Sequence, residues 1–119
     1  MRLIPLLGGL VGTVLSAAQA QDVVKVDPAH YKVEFENADV RVLRVRFGPH
    51  ERAAMHSHPT RVVVFLTDLH LKFTDPNGKV DEIEGKAGHA GWGKAVTHTS
   101  ENVSDSAGEL IEVELKGKH

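Results

Sequence analysis

The sequence predicts an all-β domain, an antiparallel sandwich or small barrel, behind a cleavable export signal. Three observations carry this. Apolar and polar residues alternate in short runs, the period of a strand with one face buried. Turn signals break those runs roughly every 8–12 residues, the spacing of sandwiches and barrels. The chain shows no helical periodicity, no internal repeat and no low-complexity tract.

The elements follow in order. Val23–Val26 is a first apolar patch, read as a strand and stopped by Asp27-Pro28. Tyr31, Val33 and Phe35 alternate with Lys32, Glu34 and Glu36, and Asn37-Ala38-Asp39 makes a turn. Val40–Phe47 is a strand whose apolar phase changes between Val42 and Leu43, as a bulge there would produce. Gly48-Pro49 ends it. Residues 61–67 form a nearly continuous apolar run, suited to a strand covered on both faces. Leu69, Leu71 and Phe73 alternate with His70, Lys72 and Thr74, and Asp75-Pro76-Asn77-Gly78 is a strong turn. Residues 80–84 lead into a glycine-rich passage, 85–93, and residues 96–99 form a short strand. The last strand, 109–115, sends Ile111, Val113 and Leu115 to one face, expected to be the core, and Glu112 and Glu114 to the other. About eight or nine strands result, enough for one small barrel with room for one small ligand.

Residues 1–20 carry Arg2, an apolar run over 3–15 and then Ala18-Gln19-Ala20, the order of a secretory signal peptide cleaved after Ala20. The mature domain is then 21–119, periplasmic or secreted. The apolar run is too short to span a bilayer, so no membrane partner is expected once the signal is removed. The chain has 14 basic and 16 acidic residues, mixed along its length, with a net charge of −2. That excludes the cationic surface a nucleic-acid binder needs. There is no cysteine, so the fold is held without disulfides and any metal site uses nitrogen and oxygen donors.

Eight histidines are the sharpest feature of the composition. His56 and His58, one residue apart, leave a strand on the same face, and His98 lies on a later strand. Neutral imidazoles so arranged suit a divalent transition metal better than Mg or Ca. Taken alone, the His-x-His pair fits equally a solvated strand face.

The wider context carries more. Gly48-Pro49-His50-Glu51-Arg52-Ala53-Ala54-Met55-His56-Ser57-His58-Pro59 and, later, His98-Thr99-Ser100-Glu101-Asn102 resemble the two motifs of the cupin superfamily. The resemblance implies a compact antiparallel jelly-roll barrel. It implies one divalent transition metal (Fe, Mn, Ni, Zn or Cu) held by His56, His58 and His98. It also implies a small-molecule ligand or substrate in the barrel. The departures matter as much. Seven residues, not the motif's five, separate Gly48 from His56. The motif's glutamate should fall at 62 or 63, where the chain has Val62 and Val63, and Thr67-Asp68 stand near the place of its closing glycine. In the second motif His98 and Asn102 keep their spacing, while Gly93 and Ala95 occupy the proline and glycine positions. The carboxylate ligand is therefore missing. Three neutral donors hold a metal less tightly and leave more positions open. Glu51, His50 and His89 are candidate fourth donors.

Of the other residues, His30 and His70 are expected at the surface, His89 in a solvated loop and His119 at a loose C-terminus. Trp92 is expected as a core plug or rim residue. One of Arg44, Arg46 and Arg61 is a candidate to enter the cavity and bind an anionic group. Asn102 is expected to fix a turn. Three function classes stay open: a metal-dependent dioxygenase or related small-molecule enzyme, a non-catalytic small-ligand or metal-binding module, and a barrel whose histidines hold no metal. No catalytic acid or base can be named. A homodimer through sheet edges is expected, with Val23–Val26 as an exchange strand.

Overall fold

The structure, a computed structural model, describes residues 21–117, so the proposed signal peptide and His119 lie outside the described residues. A short helix, α1 (Val23–Val26), precedes nine strands. They are β1 (Tyr31–Glu36), β2 (Val40–Phe47), β3 (Arg52–His58), β4 (Arg61–Phe65), β5 (Leu69–Thr74), β6 (Val80–Gly85), β7 (Ala90–Gly93), β8 (Val96–Asn102) and β9 (Gly108–Leu115). They form a five-stranded sheet, β1-β2-β9-β4-β7, and a four-stranded sheet, β3-β8-β5-β6. Every strand pairing is antiparallel. The apolar core fills the space between the sheets with Leu43, Val45 and Phe47 from β2, Phe65 from β4, Leu69 and Leu71 from β5, and Leu110 from β9.

Three local expectations change. Val23–Val26 is one helical turn, not a strand: the Asp22 carbonyl accepts from the Lys25 and Val26 amides, and Val23 O from Asp27. Extended pairing is confined to one bridge, Asp22 to Ser57, just before the turn. Val23 is fully buried, so the turn serves as a plug and offers no strand for exchange.

The expected bulge in β2 lies instead in β1. β2 pairs with β9 over all eight of its residues without interruption. The extra residue is Glu34, between Val33 opposite Leu43 and Phe35 opposite Val42. The phase change in β2 has another cause. Arg41 faces inward in register with Leu43, Val45 and Phe47, while Val40 and Val42 lie on the outer face.

β9 is inverted relative to its expected orientation. Glu112 and Glu114 are buried inside, and Ile111, Val113 and Leu115 are half-buried outside. The reason is positional. β9 is the central strand of its sheet, and its outward residues join an apolar row. Phe35, Val42, Val113, Val62 and Trp92 are register partners from one strand to the next across all five strands. The strand expected over 61–67 ends at Phe65, with Val62 and Val64 half-buried on the same outer face.

The glycine-rich passage contains the end of β6 and all of β7. Gly85 is required: a Cβ there would fall on the Phe65 ring. At Gly91 a Cβ would meet nothing within 4 Å. Gly85→Ala is therefore expected to lower stability by about 1–3 kcal/mol through overpacking. Gly91→Ala should stay within about 0.5 kcal/mol of wild type. Urea unfolding of the two variants checks this, and equal effects would contradict the packing described.

Candidate metal centre

His56 and His58 stand on β3, and His98 on β8 directly opposite His56. A bulge places them. Between Ala53 opposite Ser100 and His56 opposite His98, β3 carries one more residue than β8. Ala53 faces inward. Without the extra residue, strict alternation would turn Met55 and Ser57 inward. With it, His56 and His58 are buried and Met55 is exposed.

The three rings are nearly perpendicular in pairs, with centroids 4.7, 5.1 and 5.2 Å apart. Each offers a nitrogen within 4.8 Å of the other two. The His56 Nδ1 donates to the Ala54 carbonyl at 2.7 Å, which leaves its Nε2 as a lone pair. His98 Nε2 is buried without a hydrogen-bond partner. Its ring stacks on Phe73, 4.5 Å away at 5°. Tyr31 packs against both His56 and His58. Burial, reinforced by Arg61 and His56, pushes the His58 imidazole down to about 2. Burial and the other two rings push His98 to about 2 as well. Burial also lowers His56. All three are neutral at neutral pH, the form that ligates metals. An orphaned, buried nitrogen within an all-imidazole donor set fits a borderline divalent transition ion.

A second layer lies behind His58. Its Nδ1 is 3.4 Å from Glu112 Oε1 and 4.0 Å from Glu114 Oε2. Two arginines flank these carboxylates. Arg41 Nε donates to Glu114 Oε1 at 2.7 Å, and its Nη2 to Asp22 at 2.6 Å. Arg61 Nε lies 3.4 Å from Glu112 Oε2, and its Nη1 donates to the Lys94 carbonyl at 3.2 Å. Burial pushes the Glu112 carboxyl up to about 7; Arg61 opposes the rise and Glu114 adds to it.

A cavity of about 210 Å³ adjoins the site, lined by His58, His98, Arg61, Glu112 and the apolar wall of Val63, Phe65, Leu71 and Phe73. It reaches the edge strands β6 and β7, where Ile83 and Trp92 also line it. Its volume is below the ~300–1,000 Å³ of drug-sized pockets, so it suits a small molecule.

The structure brings together His56, His58 and His98, and none of the candidate fourth donors. Glu51 accepts from the Gly48 amide at 2.7 Å and meets His30 at 3.0 Å, closing its own turn. His50 pairs with Asp105 at the surface, and His89 is exposed in a turn. His30 is not the exposed residue expected. It is held between Asp27 and Glu51 and stacked on Phe47 at 4.4 Å. His70 sits on the outer rim beside Glu82. Of the three arginines, Arg61 enters the cavity and is 6% exposed. Arg44 and Arg46 face outward, Arg44 paired with Glu34. Trp92 is a rim residue, 62% exposed. Asn102 fixes the turn after β8: its amide donates to Gly48 O and Ser106 O, and its carbonyl accepts from Ser104. Sequence reasoning missed Glu112, Glu114 and Arg41. The available signal was two carboxylates and two arginines at matching positions of adjacent strands, Glu114 opposite both Arg41 and Arg61.

No family model matches the chain, and no curated protein matches it. Solved structures do. A cupin domain from Bordetella pertussis Tohama I is 25% identical with a TM-score of 0.68, over 83% of this chain and 98% of that one. A double-stranded β-helix protein from Klebsiella pneumoniae is 21% identical with a TM-score of 0.59, over 76% and 80%. A cupin-2 domain protein from Shewanella frigidimarina is 14% identical with a TM-score of 0.51, over 88% and 91%. The chain therefore shares the cupin fold with these structures.

The buried imidazoles set a pH dependence in the metal-free protein. Their folded pKa values lie below the unfolded ~6.5. Between that value and about 2 the unfolded chain binds more protons, so stability falls as pH falls through this window. Glu112 acts in the opposite sense: its raised value favours the folded form below the unfolded pKa, and the gain is lost as pH rises through about 7. The urea midpoint is expected to peak near pH ~6.5 and to drop steadily to pH ~4.5. A midpoint that is flat over that range would show the imidazoles are not held neutral.

Proposed function

We propose that the protein is an exported cupin that holds one divalent transition metal at His56, His58 and His98 and presents it to a small molecule entering between β6 and β7. The observation that carries this reading is the convergence of three buried, neutral imidazoles beside a cavity with an apolar wall. Bound there, the ion supplies Lewis acidity and open coordination positions. The chain's own residues do the rest. Phe65, Leu71 and Phe73 keep the cavity dry. Arg61 offers a guanidinium to an anionic group of the substrate. Glu112, buried beside it, turns its Oε1 toward His58. The chemistry fits a metal-dependent dioxygenase or a related small-molecule enzyme. A second reading, a non-catalytic binding module, is favoured by one observation: Glu112 and Arg61 face each other at 3.4 Å, an arrangement that neutralises both without a reaction.

The leader-like order of residues 1–20 supports a periplasmic or secreted location. The unbroken apolar row on the outer sheet face supports a homodimer, and the small cavity a small-molecule partner rather than nucleic acid or membrane. Native mass spectrometry of protein recovered from an export compartment tests these together. The expected species starts at Gln21, carries one metal per chain and has the mass of a dimer. His56→Ala with His98→Ala should abolish the metal while leaving the circular dichroism of the sheets unchanged. Metal content unchanged in that variant would exclude the three ligands.

A further inference from the structure

The centre lacks the carboxylate that the first cupin motif places at 62 or 63, and those positions hold valines. Val63 lines the cavity, and its register partner on the neighbouring strand β9 is Glu112. Cross-strand partners put their side chains on one face with Cβ atoms about 4.5–5.5 Å apart. A carboxylate is thus present one strand away from where the motif would carry it. Its Oε1 is buried, has no hydrogen-bond partner and lies 3.4 Å from His58 Nδ1, which is equally buried and unpartnered. Glu114 is further from that nitrogen, at 4.0 Å, and its other oxygen is taken by Arg41.

We infer that Glu112 is the positioning carboxylate of this centre: it accepts a hydrogen bond from His58 Nδ1–H and so turns the Nε2 lone pair of His58 toward His56 and His98. The inference rests on the metal-binding reading above. His56 has the equivalent support from a backbone carbonyl, Ala54 O, and His98 is held by its stack on Phe73. His58 has no other candidate to fix its tautomer except the more distant Glu114. A ligand histidine almost always gives its second N–H to a carboxylate, carbonyl or water, and losing that partner costs about 10–100-fold in metal affinity.

The test is titration of the full mature chain with Co(II), read by visible absorption, together with ¹⁵N spectra of the histidine rings in the Zn-loaded protein. Glu112→Val should weaken Co(II) binding by about 10–100-fold and remove the Nδ1–H signal of His58, with the Co(II) bands keeping their positions. Glu112→Gln, whose amide oxygen still accepts from Nδ1–H, should recover most of the affinity and the ring signal; it also serves if the valine variant does not fold. Equal affinity in wild type, valine and glutamine variants would overturn the inference and leave the three-histidine site standing. Bands that shift to a lower coordination number in either variant would make Glu112 a direct ligand and overturn the positioning role. Wild type that binds no Co(II) would overturn the metal reading itself.

Discussion

Between Ala53 and His56, β3 carries one residue more than β8, and the character of the barrel interior follows from that offset. In a regular strand the inward face repeats every second residue. The extra residue shifts the phase of everything after it, so the side of the strand that begins with Ala53 ends with two imidazoles. His98, fixed opposite His56 by backbone pairing, then needs no loop to bring it near. The site is built from ladder register, which is stiffer than loop conformation, and that register alone holds the three imidazoles close together.

The interior divides into two regions. Toward one end Leu43, Val45, Phe47, Leu69 and Leu110 pack as an ordinary apolar core. Toward the other, three histidines, two glutamates and two arginines are enclosed with little contact with water. Enclosing such groups costs desolvation energy that ion pairing seldom recovers in full. Five side-chain atoms in this region have no hydrogen-bond partner. The outer face of the same sheet, meanwhile, displays valines, a phenylalanine and a tryptophan. The usual segregation of apolar inside and polar outside is reversed around β9, the pattern expected where a fold sacrifices stability for a site.

This reversal explains what the sequence could and could not reveal. Strand boundaries were readable because Asn37-Ala38-Asp39, Gly48-Pro49 and Asp75-Pro76-Asn77-Gly78 punctuate short alternating runs, and most of the strands form near where those signals place them. The histidine triad was readable from the spacing of His56 and His58 and from the His98–Asn102 pair. Glu112 and Glu114 were not, since alternation shows that two sets of side chains face opposite ways without showing which way is in. The hydrophobic set was assigned to the core, and here it lies outside. Val23–Val26 was misread for a related reason: three valines and a lysine are too short a run to show a period, and the one residue of the turn that is buried is Val23. The bulges at Glu34 and before His56 leave no composition signal, because any residue can be the extra one.

The inward positions of β7 are Gly91 and Gly93, register partners of Val63 and Arg61. A Cβ at Gly93 would come within 2.9 Å of the Arg61 guanidinium. That stretch of the doorway is consequently bare main chain, with no rotamers to swing aside or close. Whatever side-chain movement this edge of the cavity allows falls instead to Ile83 and Trp92, which line it from β6 and β7.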